Sequence, residues 1–268
     1  MTEPPVPPIP PSPSYLPPPA SPLPASPAVR IGDWLQEAWR ILQPAWLESV
    51  GTILVMGLVL LVGYALCFLP GLVIVGPLIA GANIYFAKRL LGLPAALDDV
   101  FKGFRRFGDT FLVGLVLYLV PMLINLALAI PRILAAVGTD GDYDRAAGPL
   151  LALTGGLAGL GYLFSLAYKI LANTFLIFAM PLVLFRQMTA IDAMRRSVEW
   201  VKPQLPAFLV LLVVCHLVGM AGGLGVCVLC LGALVTVPLA WSLINLVQLQ
   251  AYRELVGLTP ADLAPYMD

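Results

Sequence analysis

Apolar residues occur in long blocks along this chain, separated by shorter polar segments. Residues 71–86 are apolar except for Asn83, and the next twenty positions carry a cluster of basic side chains: Lys88, Arg89, Lys102, Arg105 and Arg106. A helix over residues 71–91 is long enough to cross the ~30 Å hydrocarbon core of a membrane. Basic residues at the ends of spanning helices stay preferentially on the cytoplasmic side. The pattern therefore predicts a transmembrane helix that leaves the membrane on its cytoplasmic side.

Five further apolar blocks bring the number of predicted transmembrane helices to six. The predicted spans are residues 46–69, 71–91, 110–130, 165–185, 205–220 and 226–249. The longest block, residues 150–185, is too long for one span and slightly short for two. Two crossings would place the basic segment 186–202 outside the cell, against the positive-inside preference, so we predict one crossing. Whether residues 150–185 form one long helix or a surface helix followed by a span stays open.

A polar, amphipathic segment precedes each pair of spans, at residues 31–43, 96–108 and 189–204. In the second segment the apolar positions recur at helical spacing, separate from a basic stripe; they are Leu97, Val100, Phe101, Phe104 and Phe107. Helices of this kind lie in the membrane interface with their basic side chains towards anionic headgroups. The predicted fold is all-α: a polytopic integral membrane protein with six transmembrane helices in three hairpins, each preceded by an amphipathic interfacial helix.

The positions of the 15 basic residues predict an orientation. With both termini in the cytoplasm, twelve lie on the inner side: Arg30, Arg40, Lys88, Arg89, Lys102, Arg105, Arg106, Arg186, Arg195, Arg196, Lys202 and Arg253. Arg132 and Arg145 then lie outside, and Lys169 lies in the membrane. Because arginine, alanine, leucine and proline are abundant, as in GC-rich bacterial genomes, we predict a multi-pass protein of the bacterial cytoplasmic membrane.

The composition agrees with this interpretation. Hydrophobic residues make up 60% of the chain and charged residues 11%, against about 25% charged in typical globular domains. The formal net charge is zero, so we expect no general attraction to nucleic acid. Residues 1–29 lack the basic and apolar regions of a signal peptide, and we expect the first spanning helix to direct insertion.

The chain divides into three predicted regions. Residues 1–29 hold half of its 26 prolines and predict a disordered, Pro-rich cytoplasmic tail with polyproline II character. This tail is interpreted as a solvated spacer, with a PxxP docking ligand as the alternative. Residues 30–257 form the predicted six-helix transmembrane domain, and residues 258–268 form a short cytoplasmic tail.

Two sets of polar residues are candidate functional sites. The basic residues predicted to contact lipid headgroups are Lys88, Arg89, Lys102, Arg105, Arg106, Arg195 and Arg196. A candidate intramembrane polar site consists of Asn83, Asn125, Lys169, Asn173 and Asn245. We expect first that the Asn amides form hydrogen bonds between helices and that the Lys169 side chain reaches the outer interface. A substrate or ion site is the alternative interpretation of this set.

The sequence contains no motif of an enzyme or of a metal site. HExxH, GxSxG, P-loop and phosphate-binding GxGxxG sequences are absent, and no pair of carboxylates is placed for acid–base catalysis. Cys227 and Cys230 have CxxC spacing and follow Cys215 and His216, but no charged activator lies nearby, so membrane packing is preferred. The acidic segment 140–144 lacks the glycine and glutamate of a calcium loop. We therefore expect no catalytic residue, metal or cofactor.

Several segments resemble a known family. They are EAWRILQPAW at 37–46, GPLIAG at 76–81, AKRLLGLPAALDDVFKGFRRFG at 87–108, FAMPLVLFRQMTAIDAMRRSVEWVK at 178–202 and AYRELVG at 251–257. Across residues 31–257 the chain resembles a broad family of bacterial polytopic membrane proteins related to the membrane domain of glycerophosphodiester phosphodiesterases. The resemblance implies six helices. It implies no phosphodiesterase activity, because the soluble catalytic domain with its metal-binding carboxylates is absent from this sequence.

These observations predict a non-enzymatic inner-membrane protein that interacts with lipids or with partner membrane proteins. The expected lipid partners are anionic, because basic, aromatic-rich helices precede the hairpins. The GxxxG spacings Gly155/Gly159 and Gly219/Gly223 allow helices to approach closely, within the chain or in a homo-oligomer. The alternative function is a small-solute transporter or export component that uses the intramembrane polar residues.

Overall fold

The computed structural model describes residues 30–66, 68–137, 147–227 and 232–267. The predicted Pro-rich tail lies outside these residues. In the described part every regular element is helical, and no strand occurs there. Six helices are long and apolar enough to cross a membrane: Ile31–Leu66, Pro70–Leu90, Leu97–Ala127, Gly161–Phe185, Ala190–Gly223 and Ala233–Leu255. The all-α class is confirmed, and the six helices are compatible with a multi-pass membrane protein.

The first helix of the fold, α1, covers Ile31–Leu42 and leads directly into α2, Trp46–Leu66. One face of α1 is buried, and its buried residues are Trp34, Ala38 and Leu42. The α-helical conformation ends just before Pro44, as the sequence predicts. Because proline cannot donate a backbone N–H, it lies in a 3₁₀ turn, Gln43–Ala45, that joins the two helices.

The central helix is α3, Phe68–Leu90. It contacts α2 on one side and a 3₁₀ helix, Leu97–Arg106, on another, and it also touches the last long helix of the chain. The side chains from Leu78 to Ala87 are nearly all buried. A helix that is apolar around most of its circumference is favoured in such a central position.

Glycines allow α3 and the following elements to pack backbone against backbone. A Cβ atom on Gly81 would overlap the carbonyl oxygen of Val100, and one on Gly103 would overlap the backbone of α3. A Cβ atom on Gly114 would lie only 2.6 Å from the Cα atom of Gly76. The absence of side chains at these positions lets the Leu97–Arg106 helix dock closely on α3.

Gly159, Gly219 and Gly223, which have GxxxG spacing, pack less closely than these contact glycines. In the described part of the chain, nothing lies within 4 Å of a Cβ atom placed on Gly159 or Gly223. A Cβ atom on Gly219 would make an ordinary contact, 3.7 Å from Ile244. Within the described part of the chain, the close backbone contacts at Gly76, Gly81, Gly103 and Gly114 therefore involve glycines outside these two spacings.

The second predicted interfacial helix is the 3₁₀ helix Leu97–Arg106, and it continues into α4, Phe107–Gly114. A 3₁₀ helix has three residues per turn, so the apolar stripe expected from α-helical spacing is divided. Val100 is buried, whereas Leu97 and Phe101 are each 44% exposed. The third span then passes through a π-helical turn into α5, Val120–Val137.

The π-helical turn, Leu115–Leu119, lies next to Pro121. A proline ring clashes with the carbonyl four residues before it and supplies no N–H, so a wider turn accommodates it. The sequence predicts that Pro121 interrupts the span. In the structure the chain stays helical from Leu97 through Pro121, with a local change of helix type.

Residues 150–185 form two helices with a break inside the predicted fourth span. α6 covers Ala147–Phe175, and after a three-residue turn α7 covers Ala179–Phe185. Pro181 near the start of α7 cannot continue the hydrogen-bond ladder of α6 across this turn. The apolar block therefore contains a long helix, a turn and a short buried helix.

Ser197 on α8 satisfies the backbone groups that this break leaves free. Its hydroxyl donates to the Phe175 carbonyl at 2.6 Å and accepts from the Phe178 N–H at 3.2 Å. Ser197 is fully buried. Buried backbone groups require hydrogen-bond partners, so Ser197 stabilises the turn between α6 and α7.

The remaining long helices are α8, Ala190–Val201, α9, Leu205–Gly223, and α10, Ala233–Leu255. Thr189 caps α8 as predicted, because its hydroxyl accepts the Asp192 N–H at 3.3 Å. α9 extends three residues beyond its predicted end at residue 220. The predicted sixth span, 226–249, lies earlier in the chain than α10 does. Sequential helices that pack together include α2 on α3, α5 on α6 and α9 on α10, and also α3 on α4 and α7 on α8.

The C-terminal segment, predicted to be a short tail, forms a 3₁₀ helix at Pro260–Tyr266. Thr259 begins this helix, and its backbone N–H donates to the Asp262 carboxylate at 2.8 Å. Leu263 and Tyr266 are buried against the rest of the protein. These residues are therefore part of the packed structure.

Candidate functional site

Charged residues from distant parts of the chain meet at one end of the helical bundle. Ion pairs join Arg30 to Glu254, at 3.4 Å, and Arg89 to Glu48. We call this region the polar end. It consists of α1, the start of α2, the end of α3, the Leu97–Arg106 helix, α8 and residues 253–267.

A buried ion pair lies at the centre of the polar end. The Lys88 ammonium is 2.6 Å from the Asp99 carboxylate, and the two side chains are only 4% and 1% exposed. Asp99 also pairs with Lys102 at 2.8 Å and accepts the Ala96 N–H at 2.9 Å. A buried charge is tolerated only when it is paired and hydrogen-bonded, and Asp99 meets both conditions. This carboxylate joins α3 to the Leu97–Arg106 helix.

Arg106 forms a second junction, between the third span and the start of α8. Its guanidinium donates to Asp109 at 2.7 Å, to the Gln187 side chain at 2.8 Å and to the Met188 carbonyl at 3.0 Å. Asp109 in turn accepts the Ala190 N–H at 2.9 Å. Gln187 has a left-handed backbone conformation with φ of +54°, which residues other than glycine rarely adopt. The Arg106 hydrogen bonds hold this unusual turn in place.

Basic side chains also bind the C-terminal segment. Lys102 donates to the Tyr266 carbonyl at 3.2 Å, and Arg105 donates to the Pro265 carbonyl. The Tyr266 hydroxyl donates to the Leu184 carbonyl at 3.2 Å. The stripe that the sequence presents as a cationic surface therefore faces, in large part, another segment of the same chain.

Tyr266 lies in a low-polarity environment. Burial raises the pKa of its hydroxyl above the usual value, because the phenolate would lose its hydration. The hydrogen bond from Gln187 and the positive charges of Arg106 and Arg105 act in the opposite direction but do not cancel this effect. The tyrosine is neutral at physiological pH and acts as a hydrogen-bond donor.

Most of the predicted headgroup-contact residues are bonded to other protein atoms. The bonded ones are Lys88, Arg89, Lys102, Arg105, Arg106 and Arg196. Arg195 is exposed and, within the described part of the chain, forms no ion pair or hydrogen bond through its side chain. Arg40 and Lys202 share this property, although neither belongs to the predicted set.

The intramembrane polar residues do not share one site through their side chains. All four amides donate to the carbonyl four residues earlier in their own helix, at 2.7 to 2.9 Å; they are Asn83, Asn125, Asn173 and Asn245. Asn125 makes a hydrogen bond between helices, to the Ser165 hydroxyl at 2.8 Å. Lys169 is exposed, and no described acidic residue pairs with it. Among these four amides, Asn125 alone makes a hydrogen bond to another helix within the described part of the chain.

An open groove of about 440 Å³ lies at the polar end, between the start of α2, the end of α3 and the loop that follows. Its lining residues are Glu48, Gly51, Thr52, Val55, Tyr85, Ala95, Ala96 and Leu97. Arg89 links two of them, since one guanidinium nitrogen contacts the Glu48 carboxylate and donates to the Tyr85 hydroxyl at 3.2 Å. Arg89 is a candidate from the sequence alone, whereas the groove is not. The available signal was Glu48, a lone acid in the first turn of an apolar span.

The described residues include no group of three metal-ligating side chains. Cys215 is a free, buried thiol. The described part of the structure does not include Cys230, the acidic segment 140–144 or the side chain of Cys227. The arrangement at the polar end can bind charged groups and hold helices together. Comparison of the chain with known protein families, with curated proteins and with solved structures finds no match.

Proposed function

We propose that this chain is a non-enzymatic, multi-pass protein of the bacterial inner membrane that interacts with lipids, mainly anionic ones, or with partner membrane proteins. One observation carries the proposal. Two basic side chains that have no partner among the described residues lie beside exposed apolar ones. Arg195 is one helical turn from Ile191, which is 56% exposed, and Arg40 follows the exposed Trp39. A free cation beside an exposed apolar side chain is typical of the membrane interface.

The proposed topology has three hairpins that enter the membrane from the cytoplasmic side, with both termini in the cytoplasm. Three observations support it: basic residues from distant segments gather at one end, the two long helices of each proposed hairpin pack on each other, and exposed tryptophans lie near that end, at Trp39 and Trp46. Reporter fusions after residue 92 test it, and we expect a cytoplasmic signal. A periplasmic signal would contradict the topology.

Lipid retention tests the proposed function. The purified protein is offered phosphatidylglycerol and phosphatidylcholine in equal amounts, and bound lipid is counted by native mass spectrometry. We expect phosphatidylglycerol to be retained preferentially, and the double variant Arg40→Gln/Arg195→Gln to lose most of that preference. Lys169→Gln removes a free basic residue elsewhere and serves as the control. Equal retention of both lipids by the unaltered protein would contradict the lipid interaction.

The transporter alternative requires polar side chains that face a shared aqueous path. In the described residues the Asn amides are engaged within or between helices, and for this reason we prefer the lipid or partner interaction. A relation to the membrane domain of glycerophosphodiester phosphodiesterases stays a prediction from the sequence segments alone.

A further inference from the structure

The groove at the polar end has a polar mouth and an apolar floor. Glu48, Tyr85 and the neighbouring Arg89 provide a carboxylate, a hydroxyl and a guanidinium at one end. Along α2 the lining continues to Val55, seven residues further, which corresponds to about 10 Å of helix. The groove therefore offers charged partners at its mouth and a narrow apolar track beside them.

The groove lies where a lipid headgroup and the upper part of an acyl chain are expected. Its mouth lies in the first turn of the span α2, next to the exposed Trp46 and Leu47. Tryptophan is favoured at the level of the headgroups. Gly51 lines the groove, and nothing lies within 4 Å of a Cβ atom placed on it, so the space beside the helix is open.

The charges at the mouth are of both signs: Glu48 is largely exposed, and Arg89 is partly exposed. The Glu48 side chain is 69% exposed, and an ion pair with such an exposed partner contributes little to stability. The Arg89 Nε lies buried and has no acceptor among the described residues. The pair can therefore exchange its mutual contact for contacts with a ligand at small cost.

We infer that this groove binds a phospholipid whose headgroup carries both a phosphate and a primary ammonium. The Glu48 carboxylate accepts hydrogen bonds from the ammonium, and the Arg89 guanidinium, which the buried Tyr85 hydroxyl positions, binds the phosphate. The upper part of one acyl chain lies along Gly51 and Val55. This inference rests on the proposed lipid interaction and adds a specific site and headgroup to it.

The chemistry of the mouth discriminates between headgroups. A primary ammonium has three N–H donors for Glu48, whereas a trimethylated ammonium has none. An anionic headgroup without an amine would engage Arg89 through its phosphate and leave the Glu48 carboxylate without a cationic partner. The groove thus prefers phosphatidylethanolamine, while the free basic residues Arg40 and Arg195 serve anionic lipids.

The test compares phosphatidylethanolamine with phosphatidylcholine of identical chains, counted by native mass spectrometry of the full-length protein. We expect a preference for phosphatidylethanolamine of roughly tenfold, as charge-assisted hydrogen bonds provide. Glu48→Gln should abolish this preference. Equal retention of the two lipids by the unaltered protein, or an unchanged preference in Glu48→Gln, would overturn the inference.

A second pair of variants tests the groove itself. Gly51→Leu fills the open space and should reduce the retention of phosphatidylethanolamine, whereas Gly57→Leu, on the same helix and outside the groove lining, should not. Equal effects of both variants would overturn the assignment of the site. Phosphatidylglycerol is measured in parallel. If it is retained while the other two lipids bind equally, the groove inference alone fails; if it is not preferred over phosphatidylcholine, the proposed anionic-lipid interaction fails.

Discussion

Lys88 and Asp99 lie eleven positions apart and form an ion pair of 2.6 Å in which both side chains are almost completely buried. Asp99 holds two ammonium groups, since Lys102 lies 2.8 Å from the same carboxylate oxygen. Removal of one partner of a buried pair leaves the other charge without compensation, which is more harmful than loss of the attraction itself. The three members of this cluster therefore differ in their importance.

Asp99→Ala should be the most destabilising change in the cluster. It leaves Lys88 buried without a counter-charge, and we expect a loss of about 3–5 kcal/mol in the free energy of unfolding. Lys88→Met should cost less, because Asp99 keeps Lys102. Asp98→Ala is the matched control, since Asp98 is largely exposed and its 3.3 Å pair with Lys102 is weak. Unfolding in detergent, followed by circular dichroism, measures all three; equal losses for Asp98→Ala and Asp99→Ala would contradict the interpretation.

Gly81→Ala should disrupt the docking of the Leu97–Arg106 helix on α3. The added methyl group overlaps the Val100 carbonyl oxygen, which belongs to the backbone and cannot rotate away. We expect a loss of at least about 1–3 kcal/mol, as overpacking of a close contact produces. Gly57→Ala is the control, because nothing lies within 4 Å of its new Cβ atom and alanine favours the helix by about 1 kcal/mol. The two variants should shift the midpoint of thermal unfolding in opposite directions.

Ser197→Ala should weaken the turn between α6 and α7. The change leaves the Phe175 carbonyl and the Phe178 N–H without their shared partner, and we expect a loss of about 1–3 kcal/mol. Ser242→Ala is the matched control: Ser242 is also buried, but it donates only to the Pro238 carbonyl in its own helix. Hydrogen exchange of the turn should increase in Ser197→Ala alone. Unchanged exchange there would show that Ser197 does not hold the turn.

The long apolar helices were predictable because a run of about twenty apolar residues has few alternatives to a membrane span. Pro44 and Thr189 also acted as local signals for a helix end and a helix cap. The exact start of α10 was not predictable, since residues 226–235 contain no proline and no Ser, Thr, Asn or Asp that would mark a helix start. Local patterns therefore identify the helices better than their ends.

The site was less predictable than the helices because its contacts join distant residues. The basic stripe at Lys102 and Arg105 has the pattern of a lipid-facing surface, yet it binds carbonyls about 160 positions away. The residue spacing also could not show which of Asp98 and Asp99 is buried. The answer depends on the 3₁₀ conformation of Leu97–Arg106 and on its close contact with α3, which glycines permit. Tertiary packing decides which of these charges are buried.

Tyr266 should make the stability of the protein depend on alkaline pH. Burial raises the pKa of its hydroxyl in the folded state above the usual value of 10.0, so the unfolded chain loses this proton first as the pH rises. The contribution of Tyr266 to the free energy of unfolding is therefore constant below about pH 10 and declines as the pH rises from the unfolded pKa through the folded pKa.

The variant Tyr266→Phe cannot ionise at this position, and it also loses the hydrogen bond to Leu184. We expect it to be less stable at neutral pH but to lose less stability between pH 9 and about 11 than the unaltered protein does. Tyr162→Phe, at an exposed position, is the control, and parallel pH profiles for the unaltered protein and Tyr266→Phe would contradict the assignment.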